Sequence, residues 1–503
     1  MKFALCLLAA ALAAALATLP TPTASSAQAA SPRTLVVAPD GTYTDLAAAV
    51  AAARDGDTVE VHGGSYRGPI VVEHAVALVG VDRPVIDGGG EGTVVSFMAP
   101  GGRIAGFLVR GSGARNDKED AGIAAFGTVT IEHNVLEDVL YGIDLQIAPH
   151  SVVADNRITG REIDIARRGD AMRLWESHDS IVRGNRVEES RDVVIWYSER
   201  VTVQDNVVTG SRYGLHFMYA TGGRVIGNRF ERNAAGAYAM YSSDLRYEKN
   251  VLAGNHGPSG YGIALKDTDA ITVSQNVIAG NRTGIYFDNS PSKPGVTNSI
   301  TENVIAYNDI GMLFMPSVKH NVLGDNSFIE NTQQVAVVTG GDFGGNDWTP
   351  GGVGNYWSGY AGYDADGDGF GDLPYTEVSL FHSLLDRHEN LRLFVLSPAQ
   401  SALDLAARAF PVFRPPPTLV DTAPHIQPIP PVIAPPRPEK GALAILATGL
   451  VAAAVGTVMW GRGMDAGSGG ASGGASGSVP GKVSGAGTDA DVCGASDDGG
   501  RAS

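Results

Sequence analysis

Residues 201–255 read VTVQDNVVTGSRYGLHFMYATGGRVIGNRFERNAAGAYAMYSSDLRYEKNVLAGN, one pattern written in successive copies. In each copy a short run rich in β-branched residues leads into an asparagine, at Asn206, Asn228 and Asn250. Working outward, the position recurs at Asn134, Asn156, Asn185, Asn276, Asn303 and Asn326, every interval falling in the twenties. Such a period, most often in the low twenties, with Val and Ile in the runs and Gly and Asn between them, marks a solenoid whose single coils cannot bury their apolar face alone. Helical repeats would be longer and poorer in Val, Ile and Gly, and the leucine consensus of leucine-rich repeats is missing.

A second set of columns starts at Gly142, Ala171, Asp192, Gly214, Gly236, Gly262, Gly284 and Gly311. One residue on stand Ile143, Met172, Val193, Leu215, Ala237, Ile263, Ile285 and Met312; three on stand Leu145, Leu174, Ile195, Phe217, Ala239, Leu265, Phe287 and Phe314. Strand side chains alternate faces with period two, so both apolar columns point inward and stack along the axis. The expected fold is all-β, a parallel β-helix. Asn suits its turns because it tolerates left-handed backbone and because its amide can bond neighbouring coils as a ladder. A helix within Thr44–Ala53, N-capped by Asp45, is expected to cover the open edge of the first coil.

Composition bounds the rest. Glycine, 65 of 503 residues, stands at about twice its usual share, which argues against a helical bundle. A net charge of −17 offers no basic surface for nucleic acid. Residues 1–30 carry Lys2, an apolar run and an Ala27-Gln28-Ala29 site, and read as a secretory signal peptide. The two cysteines, Cys6 and Cys493, lie in that segment and in a low-complexity tail, so a cysteine metal cage is excluded from the exported body. We expect the β-helix over 31–340, a C-terminal cap over 341–395, and an amphipathic segment (Ser401–Phe413) with a Pro-rich extended spacer over 396–440. A single transmembrane helix is expected over 441–460, whose uncharged run matches the roughly 30 Å hydrocarbon core, with a Gly/Ala-rich linker as the other reading. The 461–503 tail is too polar and Gly-rich to order itself.

The outward columns carry the chemistry. Two positions after the start stand Asp144, Arg173, Val194, His216, Tyr238, Ala264, Tyr286 and Leu313; four after stand Gln146, Trp175, Trp196, Met218, Met240, Lys266, Asp288 and Met315. Trp, Met, His and Tyr where polar residues are expected imply a ligand site or a covered partner surface, with Trp175, Trp196 and Tyr238 in it; burial under a long loop would also account for them. Met218 and Met240 fall on neighbouring coils about 4.8 Å apart, with His216 on the same face. Two thioethers and an imidazole are ligands that select Cu(I), with Trp196 placed for a cation–π contact, although surface methionine more often fills space. The site is expected to be exposed.

The runs GDAMRLW (169–175), RDVVIWYS (191–198), RYGLHFMY (212–219), GAYAMYS (236–242) and GYGIALKD (260–267) resemble the NosD family, periplasmic maturation proteins of nitrous oxide reductase. The resemblance covers about Gly56–Pro424. It implies a right-handed, single-stranded β-helix of the carbohydrate-binding and sugar-hydrolase repeat type; no enzyme is expected, because the Asn-Thr-Asp, paired Asp, Gly-His-Gly and Arg-Ile-Lys pattern of polygalacturonases is absent as a set. It further implies partners: the nitrous oxide reductase apoprotein with its copper–sulfur centre, a NosF-type ATPase, a NosY-type permease and a copper chaperone lipoprotein. It leaves the mode of membrane attachment open.

Two further motifs stand apart. Asp364, Asp366, Asp368 and Asp372, with Gly369 between, have the spacing of an Asp-rich calcium loop, though Tyr375 stands where an EF-hand has Glu. A structural calcium is expected there, a merely solvated acidic turn being the alternative. Lys266, Asp267 and Asp288 on adjacent coils keep open the reading of a carbohydrate-binding or polysaccharide-degrading β-helix.

Overall fold

In a computed structural model the described residues are 31–338, 343–377 and 419–433, with scattered positions between 381 and 406. Contacts divide the chain into Met1–Pro436 and Arg437–Ser503, and the second unit lies wholly outside the described residues. The signal segment, the 441–460 span and the tail therefore fall outside them, as does most of Ser401–Phe413. Among the described residues no helix is long and apolar enough to cross a membrane.

The chain winds into a right-handed parallel β-solenoid of about 13 coils. Each coil crosses three sheets in turn, as in Val129–Glu132, Val135–Val139 and Tyr141–Gln146, and the sheets hold 13, 13 and 12 strands. Both apolar columns of the third sheet point inward as expected, from Ile143 and Leu145 through Leu215 and Phe217 to Met312 and Phe314, all buried. Their registers run Ile143–Met172, Leu174–Ile195, Ile195–Phe217 and Phe217–Ala239. Glycine starts this column because coils approach closely: a Cβ on Gly214 would lie 2.5 Å from the Gly236 carbonyl. One register differs from the expectation. The strand Tyr213–Met218 carries a bulge against Asp192–Trp196, so Asp192 lies opposite Tyr213 rather than Gly214. The extra residue sets the buried Asp192 at the start of the strand pair, where its carboxylate meets Arg212.

The asparagine ladder occupies the turn between the first and second sheets. Asn206 donates its backbone N–H to Asn228 Oδ1 at 2.9 Å and its amide to the same oxygen at 2.9 Å and to the Val182 carbonyl at 2.9 Å. This pattern repeats from Asn134 to Asn326 and continues onto Asn355. The left-handed backbone, expected at Asn itself, falls one residue earlier, on His133, Asp155, Gly184, Asp205, Gly227 and Lys249. Asn is therefore selected for its amide and not for its backbone freedom. A second ladder, unforeseen, follows at Asn233, Asn255, Asn281, Asn308 and Asn331 in the turn into the third sheet. Each paired amide contributes about 1 kcal/mol net per bond, whereas leaving one unmade in the interior costs about 1–3 kcal/mol.

At the N-terminus the helix α1 (Leu46–Ala52) buries Leu46, Ala49 and Val50 and packs against Ile70–Val72, the outermost strand of the third sheet. Asp45 caps it, accepting from the N–H groups of Ala47 at 3.2 Å and Ala48 at 3.3 Å.

At the other end the ladder closes on a residue from far along the chain. Asp421 is fully buried and accepts from Asn355 N at 2.7 Å, Trp357 Nε1 at 2.9 Å and Thr349 Oγ1 at 3.1 Å. Its strand, Leu419–Asp421, pairs antiparallel with Tyr375–Glu377. Beyond it the Pro-rich segment lies against the solenoid: Ile429 N donates to Ser327 Oγ at 2.8 Å, and Ile433 packs on Val277, Val304 and Ala306. The spacer expected between 414 and 440 is thus, over residues 419–433, a strap on the outer face of the second sheet. Proline suits it, because the strap needs few N–H donors and gains from a preset extended backbone. Asp421→Ala would strand the buried N–H groups of Asn355 and Trp357, so we predict a loss of at least about 2 kcal/mol in urea unfolding. A loss below about 0.5 kcal/mol, the scale of an ordinary surface substitution, would mean that the strap does not close the solenoid.

Candidate functional site

The outer face of the third sheet is where the chain departs from a plain solenoid. Most outward positions of a one-sheet face are solvated. Here the column Asp144, Arg173, Val194, His216, Tyr238 and Ala264 is buried, with His216 and Tyr238 each 9% exposed, while Trp175, Trp196, Met218 and Met240 are half-buried. The exposed site expected from the sequence is thus corrected: the face is covered by its own large side chains. Tyr213 stacks on Tyr238 at 5.3 Å between ring centroids and Tyr261 on Tyr286 at 4.7 Å, and the Arg173 guanidinium lies 5.4 Å from the Tyr141 ring.

Under these rings sits a charged network. Arg173 makes a bidentate bond to Asp144, at 2.8 and 3.0 Å, and reaches Glu119 at 2.5 Å. Arg212 clamps Asp192 through Nε at 3.0 Å and through Nη2, and Tyr213 N donates to the same carboxylate at 3.2 Å. Asp170 lies 3.6 Å from Arg191 Nε without a hydrogen bond. Desolvation raises the Asp144 carboxyl despite Arg173, whereas Arg173 holds Glu119 low. Burial works against ionising Asp192, but His216 and Arg212 outweigh it and hold that carboxyl below its usual range. Asp170 is pushed up to about 7 by burial first and by the charge of Asp192 second.

Of the residues picked out for copper, the structure brings Met218 and Met240 into direct register on adjacent strands. His216 is paired with Tyr238 in the same ladder, two residues before the methionines. Trp196 faces Met218 across the preceding register and Trp175 lies one coil further. The His216 ring meets the edges or faces of Tyr213 at 5.2 Å and Tyr238 at 6.2 Å, both near perpendicular. Its Nδ1 lies 3.7 Å from Asp192 Oδ2, and its Nε2 is buried with no hydrogen-bond partner among the described residues. Trp196 Nε1 is left the same way. A buried imidazole nitrogen beside two thioethers can take a soft cation.

Beside this face runs a second aromatic row that the sequence reading missed. Tyr197, Tyr219 and Tyr241 stack at 5.0 Å and 5.0 Å, each over 40% exposed and each in left-handed backbone at the corner after the third sheet. They recur once per coil, each directly after Trp196, Met218 or Met240, so the column is written in the sequence. The charged network was also legible, as an Asp or Arg at or just before the start of successive strands (Asp170, Arg191, Asp192, Arg212).

The Asp-rich loop gathers three of its four carboxylates: oxygens of Asp364, Asp366 and Asp368 lie within 4.8 Å of one another. Asp372 stands apart, accepting from Ala365 N at 2.7 Å. The others also accept from the loop's own backbone, as in Gly367 N to Asp364 at 2.6 Å and Phe370 N to Asp368 at 2.8 Å. The N–H groups of Gly369 and Gly367 hold Asp364 below the usual carboxylate range. This accounts for a self-supporting acidic turn, and nothing beyond the convergence of three carboxylates speaks for calcium. Lys266 and Asp288 form an ion pair at 3.7 Å, and Asp267 accepts from Asn289.

The raised Asp170 carboxyl has a consequence for stability. The folded state favours its protonated form, so its contribution is complete below the unfolded value near 4 and is lost as pH rises to about 7. Asp170→Asn, neutral throughout, should melt above wild type at pH 8, with a gap on the order of 4 kcal/mol that narrows toward pH 4. Calorimetry at several pH values decides it, and a gap independent of pH would contradict the burial argument.

Residues 154–362 match the family model described as "Periplasmic copper-binding protein (NosD)". The chain is 32% identical over 369 residues to the "Probable ABC transporter binding protein NosD" of Pseudomonas aeruginosa, covering 70% of this chain and 84% of that one. With the protein of the same description from Stutzerimonas stutzeri it shares 26% over 374 residues, 70% of this chain and 83% of the other. Among solved structures it is similar in fold to the A-module of the Azotobacter vinelandii mannuronan C-5 epimerase AlgE6, with a TM-score of 0.47 and 15% identity over 60% of this chain and 91% of that one.

Proposed function

The chain belongs to the NosD family, and from that premise we propose that it is a non-enzymatic periplasmic accessory protein that handles Cu(I) as cargo during maturation of the copper–sulfur centre of nitrous oxide reductase. Its metal ligands in this reading are Met218, Met240 and His216, with Trp196 alongside. The observation that carries the reading is the buried, unpartnered His216 Nε2 on the face where Met218 and Met240 stand in register. The family's description as copper-binding supports the same cargo.

The chemistry suits transfer. Thioether sulfur favours Cu(I) over zinc and magnesium, and it carries no proton to be displaced when the ion arrives. Three ligands on a rigid sheet leave a side open to a donor or acceptor, where a closed cage would hold the ion. Half-burial of the methionines limits access by water while leaving their sulfur within reach of a docking partner. That partner set, in our reading, includes an ABC-type ATPase and permease, in keeping with the description of both relatives as ABC transporter binding proteins, together with the reductase apoprotein and a copper chaperone. Attachment to the membrane would rest on residues 441–460.

Replacing Met218 and Met240 together by Leu keeps volume and apolarity nearly constant, so the fold should survive with a change under about 1.5 kcal/mol per site. An anaerobic Cu(I) titration against a chromophoric competitor should then show affinity in the wild type falling at least about 100-fold in the double variant, the equivalent of about 2.7 kcal/mol. Equal affinity in both proteins, or none in either, would remove copper from this face and leave it as a docking surface.

A further inference from the structure

The copper reading names His216 as a ligand but leaves open what aims its lone pair. A neutral imidazole has one N–H and one lone pair, and only the surroundings decide which nitrogen carries which. Around His216 both nitrogens are constrained. Nδ1 lies 3.7 Å from Asp192 Oδ2, an ion-pair separation and longer than a hydrogen bond, yet close enough for the carboxylate field to act. Nε2 is buried with no acceptor among the described residues. A proton on Nε2 would therefore strand a buried donor and at the same time turn the Nδ1 lone pair toward a carboxylate. A proton on Nδ1 avoids both costs.

Asp192 is itself fixed. Its Oδ1 accepts from Arg212 Nε at 3.0 Å and from Tyr213 N at 3.2 Å, while Arg212 Nη2 takes Oδ2. The bulge that brings Asp192 opposite Tyr213 sets it at the start of the strand pair, three residues before the position of His216, whereas Met218 lies two residues beyond it. The carboxylate and the thioethers thus flank the imidazole from opposite ends of the sheet face, Asp192 from the preceding strand and Met218 and Met240 from its own strand and the following one. The Tyr213 and Tyr238 rings, both at 76° to the imidazole, restrict its rotation.

We propose that Asp192, locked by Arg212, is the positioning residue of this site: it holds His216 in the Nδ1–H tautomer and so presents an unprotonated Nε2 as a ready ligand. The proposal rests on the copper reading for its use but not for its geometry. Second-sphere carboxylates of this kind fix the tautomer of metal-binding histidines and are worth about 10–100-fold in affinity.

The first test needs no variant. Long-range proton–nitrogen correlation spectra of the full metal-free chain with nitrogen-15 histidine, at pH 8, should show the Nδ1–H pattern for His216, identified by its loss in His216→Gln. An Nε2–H pattern in the wild type would overturn the proposal. Asp192→Asn supplies the second arm. Two donors, Arg212 Nε and Tyr213 N, meet Oδ1 and one, Arg212 Nη2, meets Oδ2, so the amide oxygen keeps the Oδ1 place; the NH2 gives up the Nη2 bond and faces His216, now calling for a lone pair at Nδ1. His216 should switch to Nε2–H, and Cu(I) affinity should fall about 10–100-fold with the methionines intact. A folded Asp192→Asn protein that keeps the Nδ1–H pattern would equally refute the role. The expected tautomers in a protein that binds no Cu(I) would uphold the positioning by Asp192 and strike the copper reading alone.

Discussion

From Asn134 onward each coil of this solenoid presents a buried carboxamide oxygen to the coil before it and receives an acceptor from the coil after it. That hydrogen bond recurs from Asn134 to Asn355 and fixes how the first and second sheets stack. Because a parallel strand slipped by one residue would turn its whole inner column outward, the rest of the structure depends on this fixed stacking. Insertions are accommodated between ladder positions, which is why coils of unequal length coexist with unbroken columns. The extra residues leave as loops, such as 161–169 and 254–260, and the turn itself keeps its geometry from coil to coil.

A ladder that passes each donor to the next coil must end somewhere. At its C-terminal end Asp421 supplies acceptors to Asn355 N and Trp357 Nε1 without needing a donor of its own, and a carboxylate does this where an amide would leave an N–H unmatched. The residue comes from 66 positions along the chain from Asn355, so closing the solenoid also ties down the strap that follows. The apolar outer positions Val277, Val304 and Ala306 are covered by that strap rather than exposed as a patch.

With the inner columns fixed, the outer face of the third sheet is free to vary, and it does so over a few consecutive coils. Burying Asp144, Asp170 and Asp192 there opposes folding unless arginine answers each of them. Asp144 and Asp192 are answered by bidentate or near-bidentate clamps, while Asp170 has only a distant Arg191 and protonates more easily. A network this costly on an outward face is not required by the solenoid, whose other coils do without it. It surrounds His216 and adjoins the methionine pair, and under the proposed function it is where local stability is given up for a preorganised site.

The sequence by itself determined the solenoid, its coil boundaries, both inner columns and the asparagine ladder, because each follows from a repeat whose period and face alternation are local properties of the chain. It also placed Met218 beside Met240, since neighbours across coils are neighbours one period apart. Only the tertiary structure decided that the outward column is buried, that Asp192 moves across a bulge to Arg212 and His216, and that residues 419–433 form a strap. The physical reason is the same in each case. Burial of an outward side chain depends on the size of neighbours one and two coils away, a bulge depends on the partner strand, and docking of the strap depends on a surface assembled from residues far earlier in the chain, as between Ile429 and Ser327. Periodicity carries none of these distances.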